Sequence, residues 1–368
     1  LGAEQASRIG LDHGRQNSGR PAAQAKAVFS PFVSQQSRVS AMVLNYNGRA
    51  LLEVILPSLA RQTYADLDVV VIDDASSDTS RDYVATEFPS VTFLSTGPRN
   101  VGVSAALNVA VGAATGELVA LLNNDLELEA DWLEQLVAGI DRHPEAGSVA
   151  GKTLNYWRRH ELDGAGDVFT LSATAHRRGV GGPDNGQYER EEEVFAPSAG
   201  AALYRAAALA DVGPFDESFM AYLEDVDWGL RAQLAGYRAW YVPTAVAFHM
   251  GSKTTGGDTS ALYYGLLRRN TIAILVKDVP FRFIARNLVR IAGHHVIGLV
   301  QSARRRRLGV HLRAFADAAR HLPGWWRARR VIFATRRISV REFDRFVTPP
   351  RERSGSATTS IQPPPTHG

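Results

Sequence analysis

Four short apolar runs, each followed by a cluster of polar residues and alternating with stretches of helical spacing, constrain this chain more than any other feature. The first, Arg38-Val39-Ser40-Ala41-Met42-Val43-Leu44, stops at Asn45-Tyr46-Asn47-Gly48. The second, Leu67 to Ile72, stops at Asp73-Asp74-Ala75-Ser76-Ser77-Asp78. Val91 to Leu94 leads to Arg99-Asn100-Val101-Gly102, and Glu117 to Leu122 leads to Asn123-Asn124-Asp125-Leu126-Glu127. Between them, Leu51, Leu52, Ile55, Leu56 and Leu59 fall on one helical face, and a second helix runs from Ser104 to about Ala114. Continuous apolar runs of this length suit strands buried on both faces. The order strand–helix–strand, repeated, predicts an α/β domain whose mainly parallel sheet carries helices on both sides. The polar strand ends then gather on one edge, where open α/β sheets bind ligands.

The kind of ligand is narrowed by what the turns lack. No G-x-G-x-x-G follows the first strand, and no G-x-x-x-x-G-K-[ST] loop occurs anywhere. A bound diphosphate would therefore need another neutralising device. Asp125, where the fourth run gives way to the helical pattern of Ala130 to Leu136, offers an oxygen ligand for a hard cation. The plainer reading, that Asn and Asp turn the chain and cap the next helix, stays open at this point.

The middle of the chain is less regular. Residues 176–193 are Gly-rich and then acidic, which predicts an exposed loop; Phe195 to Tyr204 predicts a further strand. Glu224, Asp225 and Asp227 stand together at the start of a helix reaching about Leu234. First-turn acids favour the helix dipole, but three of them with apolar flanks exceed what capping needs, and one can serve as a general base. Val242 to Phe248 predicts a strand ending in His249, which is either structural or a ligand. Gly251 to Gly257 predicts a flexible loop with one cation, Lys253. The chain has no cysteine, which excludes disulfides, zinc–thiolate sites and cysteine nucleophiles.

These pieces, taken in order, resemble a known family. "VLNYNG … VVVIDDASSD … RNVGVSAALNVAVGAATGELVALLNND … GAALYR … VGPFDESFMAYLEDVDWGLR … AFHMGS" is similar to the inverting family 2 glycosyltransferases of GT-A fold, nearest their rhamnosyltransferase-like and galactofuranosyltransferase-like branch, over about residues 38–270. The resemblance implies a pyrimidine nucleotide-sugar donor (a dTDP- or UDP-sugar) and a divalent cofactor, Mg2+ or Mn2+. It implies that Asp73 accepts a hydrogen bond from the base, with Asn45, Tyr46 and Ser76 around it. Asn100, Gly102 and Asn108 would shape the ribose and diphosphate side. Asn124-Asp125 takes the place of the family's Asp-x-Asp motif; Asn123 replaces its first acid, and Glu127 is a candidate second ligand. His249 would join the metal shell. Asp225 would be the general base, with Glu224 beside it.

The C-terminal part differs in charge. Residues 281–345 hold 16 Arg against three acids, Asp317, Glu342 and Asp344, although the whole chain has a net charge of only +3. Such a segment suits an anionic partner. Residues 281–303 predict a helix with Arg282, Arg286 and Arg290 on one face; Ile284, Leu288, Ile291 and Leu299 lie mostly opposite. Arg304 to Arg307 and the Trp325-Trp326 pair follow, as in helices that lie on membranes. A helical subdomain packed on the catalytic domain is the competing reading, and nucleic acid is not an expected partner.

The resulting expectation is a leader over 1–36, a GT-A catalytic domain over 37–275, a basic amphipathic helical region over 276–348, and a tail over 349–368, the leader and tail disordered. The expected activity is transfer of a sugar, rhamnose from dTDP-rhamnose as the first choice, to a glycan or polyprenyl-diphosphate-linked acceptor. The expected location is the cytoplasmic face of the cell membrane, as a peripheral protein, and a homo-oligomer is allowed. A nucleotidyltransferase would need a Gly-rich basic loop after the first strand; a silent nucleotide-sugar-binding scaffold would have lost Asp125 or Asp225.

Overall fold

In the computed structural model, residues 37–197, 200–251 and 260–347 are described. The expected leader, the tail from 349 and almost all of the Gly251–Gly257 loop lie outside them. The first half alternates as the sequence predicts: β1 (Val39–Asn45), α1 (Arg49–Ala60), β2 (Leu67–Asp73), α2 (Ser80–Glu87), β3 (Thr92–Ser95), α3 (Val103–Ala113) and β4 (Leu118–Asn123). Next come β5 (Leu126–Leu128), α4 (Trp132–Arg142), β6 (Ala146–Asn155), β7 (Leu162–Gly164), β8 (Asp167–Phe169), β9 (Ala175–Arg177), β10 (Glu192–Val194), β11 (Ala201–Arg205), α5 (Ala206–Val212), α6 (Glu224–Leu234) and β12 (Arg238–His249). Three helices close the described chain: α7 (Ala261–Lys277), α8 (Phe281–Arg304) and α9 (Leu308–Thr335).

The main sheet runs β10-β12-β6-β11-β4-β1-β2-β3. β4, β1, β2 and β3 are parallel neighbours, as are β6 and β12. β11 is inserted antiparallel between β4 and β6, so the sheet is mixed where a mainly parallel one was expected. Alternate side chains of the parallel strands enter opposite apolar layers. Val39, Ala41 and Val43 join Leu52, Ile55 and Leu133 on one side; Met42, Val119 and Leu121 join Ala106, Leu107 and Trp228 on the other. Burial on both faces explains why these strands read as unbroken apolar runs.

Register aligns the polar ends. Asn45 lies opposite Asp73, and Leu44 opposite Asn123. Asp125 does not pass straight into a helix, as its sequence context suggests. β5 intervenes and pairs antiparallel with β12, setting His249 opposite Leu126. The acidic stretch of 176–193, expected as an exposed loop, is partly strand and tied down by charge: Glu189 pairs with Lys152, and Glu191 with Arg142 and His143.

The expected domain boundary after 275 falls inside α7. One apolar cluster joins Phe169 and Phe195 to Phe219 and Leu230, and to Ile274, Phe283 and Trp325 of α7, α8 and α9. Trp325 is buried and donates to Ser218 Oγ at 3.1 Å, whereas Trp326 is exposed. The helical region thus packs on the catalytic fold. No described helix is long and apolar enough to cross a membrane.

A buried charge cluster locks this packing. Lys277 Nζ lies 2.5 Å from Asp216 Oδ2 and 2.5 Å from Asp227 Oδ1, and Asp227 also pairs with Arg231 at 2.9 Å. Removing one member of a buried network strands the other charges. Lys277→Met should therefore cost about 3–5 kcal/mol of unfolding free energy by urea titration; a loss well below that would mean the cluster is not what secures α7.

Candidate active site

A cavity of about 700 Å³ opens at the polar edge of the sheet. Its floor is built by a chain of amide and carboxylate contacts. Asn124 Nδ2 donates to Asn45 Oδ1 at 2.9 Å, and Asn45 Nδ2 donates to Asp73 Oδ1 at 2.9 Å. Asp73 also accepts from the Ser76 amide and hydroxyl. Asn45, Tyr46, Asn100, Gly102, Asn124 and Asp125 line the cavity, as do Glu224, Asp225 and His249.

Four expected site residues are placed elsewhere. Asp73 and Ser76 sit behind the lining, fastening Asn45, and Asp74 faces the cavity instead. Asp74 fixes the next loop: its carboxylate accepts from Thr96 Oγ1 and from the Val101 and Gly102 amides at 2.8, 2.8 and 3.0 Å. Asn108 lies outside the lining and spends its amide on the Phe215 backbone, in both directions, and on Glu217. Glu127 turns away from the cavity, because β5 alternates sides between Leu126 and Leu128, and its carboxylate is paired with Arg159.

Asp125 and His249 do meet. The β5–β12 pairing sets their backbones side by side, with the Met250 amide on the Asp125 carbonyl at 2.9 Å. His249 Nε2 lies 3.1 Å from Asp125 Oδ2, while Nδ1 lies 2.9 Å from Asp163 Oδ2. Burial opposes charge on this imidazole, but its contacts with Asp125 and Asp163 outweigh it and raise its pKa to about 10. Without an ion the charged imidazole donates to both carboxylates; a divalent cation at Asp125 would displace the Nε2 proton and leave an O/N donor pair, with Asp163 holding the ring through Nδ1–H. Among the described residues no cluster of three or more such side chains is spaced to hold an ion. The donor set therefore fits an ion completed by phosphate oxygens and water.

The acids at the start of α6 separate by environment. Asp227 is fully buried and neutralised by Lys277 and Arg231, a structural role. Glu224 is buried with Oε2 unpartnered; burial, and then the charge of Asp225, push its pKa up to about 8. Asp225 lines the cavity and is less buried. Asp167, on β8, also lines the cavity, and burial followed by Asp225 raises it to about 8. Asp163 and Asp167 were not singled out from the sequence. Their only signal is a pair of acids flanking Gly164-Ala165-Gly166 in an irregular stretch.

The turn that presents these acids is strained. Met220, Tyr222 and Leu223 all have positive φ, at 62°, 70° and 66°. Such backbone persists only when its surroundings over-determine it. Asn270 supplies that constraint, donating to the carbonyls of Phe219, Ala221 and Tyr222 at 3.1, 2.9 and 2.7 Å. Arg269 adds donors to Ser218 and Phe219. On the other side, Gly102 has φ +88°, and a Cβ there would stand 2.8 Å from the Met220 carbonyl oxygen. Only glycine lets the Asn100–Gly102 loop approach the acid-bearing turn so closely.

Two outcomes follow. Asn270→Ala should cost about 1–3 kcal/mol per carbonyl left unsatisfied and lower activity more than it lowers donor affinity, as checked by denaturation and steady-state kinetics. Glu224 holds its proton more tightly folded than unfolded, so its contribution to stability is present below about pH 4.5 and lost as pH rises towards about 8. The melting temperature of Glu224→Gln should therefore gain on wild type as pH rises from 5 to 8; parallel pH profiles would contradict this.

Comparisons with known proteins agree with this geometry. Residues 40–213 match the family described as Glycosyl transferase family 2. The chain is 26% identical over 304 residues to the N-acetylglucosaminyl-diphospho-decaprenol L-rhamnosyltransferase of Mycobacterium tuberculosis, covering 73% of this chain and 95% of that protein. It is 31% identical over 185 residues to the pre-mycofactocin glycosyltransferase of the same organism, covering 50% of this chain and 37% of that one. Among solved structures, S. aureus TarS 1-349 in complex with UDP-GlcNAc superposes with a TM-score of 0.55 at 19% identity, covering 81% of this chain and 83% of that one. GalNAc-T7 with UDP, GalNAc and Mn2+ gives a TM-score of 0.53 at 16% identity; it covers 67% of this chain, which spans only 49% of that structure. Residues 40–213 form a glycosyl transferase family 2 domain, and the chain has the GT-A fold of its solved neighbours.

Proposed function

We propose that this glycosyltransferase moves a sugar from a pyrimidine nucleoside-diphosphate donor to an acceptor hydroxyl by a single displacement with inversion. The observation that carries the proposal is the Asp125–His249 pair, 3.1 Å apart, in the same cavity as Glu224 and Asp225. Rhamnose from dTDP-rhamnose, passed to a glycan or polyprenyl-diphosphate-linked acceptor in cell-wall or surface-polysaccharide synthesis, is the preferred pairing. Similarity to the mycobacterial L-rhamnosyltransferase over 95% of that protein's length supports that choice.

In this reading Asn45, Tyr46 and the Asp74-fastened loop at Asn100 and Gly102 hold the donor, and Asn124 stiffens the floor through Asn45. Asp125 and His249 hold Mg2+ or Mn2+; a solved GT-A neighbour crystallised with Mn2+ supports a divalent ion. Bound there, the ion neutralises charge on the departing diphosphate. Asp225 takes the proton of the acceptor hydroxyl while that oxygen bonds to the anomeric carbon, and the sugar–phosphate bond breaks to release the nucleoside diphosphate. Glu224, kept protonated at neutral pH by burial, is a donor to the acceptor rather than a second base.

The Arg-rich helical region supports work at an anionic membrane surface on its cytoplasmic face. Arg282, Arg286 and Arg290 are exposed along α8, beside exposed Leu288, Val289, Val296 and Ile297. An apolar strip bordered by cations suits a helix lying in the headgroup region.

The test is thermal protection by dTDP- and UDP-sugars with Mg2+ or Mn2+. A donor at a hundred times its dissociation constant should add about 2.7 kcal/mol of stability. Protection should need the metal and vanish in Asp125→Ala, and Asp225→Asn should then lower turnover by about 10²–10⁴-fold with donor protection intact. No protection of folded wild type by any donor would sink the proposal.

A further inference from the structure

The cavity has a second wall of different character. α7 contributes Leu262, Tyr263, Leu266, Leu267 and Ile274 to it, and α8 contributes His294. The acid-bearing turn joins the two walls: the Met220 carbonyl accepts from Ser104 of α3 at 3.1 Å, and Tyr222 packs edge-on against Tyr263 of α7 at 4.7 Å. Glu224 and Asp225 therefore stand between the nucleotide-side loop and an apolar recess.

Within the apolar wall sits one guanidinium, Arg268. Its Nε is buried without a hydrogen-bond partner, and no ion pair among the described residues includes it. Its neighbour Arg269 is by contrast fully engaged, with Asp317 at 3.1 Å and with the Ser218 and Phe219 carbonyls. Arg268 lies over the ring of Tyr264 at 5.0 Å, and after burial itself its charge is the leading cause that lowers the pKa of both His295 and His311. α8 is shaped to receive it, because a Cβ at Gly298 would stand 2.5 Å from Arg268 Nη1. A half-buried cation without a counter-ion is costly, and a phosphate group is the anion a guanidinium matches best.

On the outer side of the same helix, Val289 is 86% exposed, with Val296 and Ile297 at 59% each. α8 thus stands between an anion-seeking recess and an apolar, cation-bordered surface.

We infer that the α7–α8 wall is the acceptor site, and that it takes a lipid-diphosphate-linked sugar whose hydroxyl faces Asp225, whose phosphate is held by Arg268 and whose chain lies along Leu262, Leu266 and Ile274. This rests on the transferase reading and deepens it by giving the acceptor's anionic group its own ligand, separate from the Asp125–His249 pair on the donor side. A diphosphate could also come from the donor, so the test must separate the two sources.

The probes are farnesyl diphosphate, farnesol, inorganic pyrophosphate and dTDP with Mn2+, each scored by thermal protection of the full chain. Wild type should be protected by farnesyl diphosphate more than by farnesol or pyrophosphate. Arg268→Gln should weaken that protection about tenfold or more, as loss of a charge-assisted contact does, and leave protection by dTDP unchanged. The dTDP arm also reports whether the variant is folded. Gly298→Ala, which keeps the charge but displaces the guanidinium, should weaken farnesyl diphosphate in the same direction. The inference is overturned if farnesyl diphosphate fails to protect wild type, if Arg268→Gln leaves its protection unchanged, or if dTDP loses as much as farnesyl diphosphate does. Failure of dTDP alone would count against the donor reading and not against this site.

Discussion

The grip of α7 on the turn before α6 is the interaction on which the site depends. Asn270 holds three carbonyls of a segment with three positive-φ residues. Two helical turns further on, Lys277 neutralises Asp227, the acid that points inward from the same helix start. Asn270, Ala273, Ile274 and Lys277 share one face of α7, so a single helix surface supplies the donors, the apolar packing and the cation. Without Lys277, three acids would crowd one helix end with only Arg231 to balance them. With it, Asp227 is satisfied, Glu224 is left in a dry environment that favours its neutral form, and Asp225 faces the cavity. Chemically similar neighbours acquire different roles because burial and partners differ over a few ångströms.

The donor side depends on a different device, the antiparallel pairing of β5 with the end of β12. That pairing is short, yet it brings together residues far apart in the chain, and places the imidazole of His249 between Asp125 and Asp163. One nitrogen is oriented by Asp163 so that the other faces Asp125. The rear carboxylate fixes the ring orientation and would keep the Nδ1 proton when a cation displaces the one on Nε2. The loop at Asn100–Gly102 is anchored just as firmly by Asp74. Both groups are thus fixed on the sheet edge by partners within the chain, which reduces the ordering that binding of any ligand there must bring about.

The helices after β12 are better understood as the third wall of the cavity than as an appended domain. They share an apolar cluster with α6 and β8, and they supply the recess around Arg268. Residues 281–345 of the same segment hold 16 Arg against three acids, and Arg282, Arg286 and Arg290 are exposed.

The sequence by itself determined the alternating first half, the edge at which its strands end, and the residue types gathered there. The apolar runs are buried on both faces, so their chemistry is legible without knowing their neighbours. Asp125, His249, Glu224 and Asp225 were readable because their polar character interrupts that pattern abruptly. Only the tertiary structure decided which acid does what. Asp227 could not be told from Asp225 until Lys277, 50 positions away in the chain, was seen beside it. Asp73 and Asp74 differ by one position, yet Asp73 closes the strand and fastens Asn45, while Asp74 in the turn beyond it lines the cavity and holds the Val101–Gly102 amides. Glu127 and Asn108 looked available because their partners, Arg159 and the Phe215 backbone, are distant or come from the main chain. Asp163, Asp167 and Arg268 lie in segments whose local pattern carries no functional signal. Their significance comes from burial and from the missing or opposing charges around them, quantities that only folding creates.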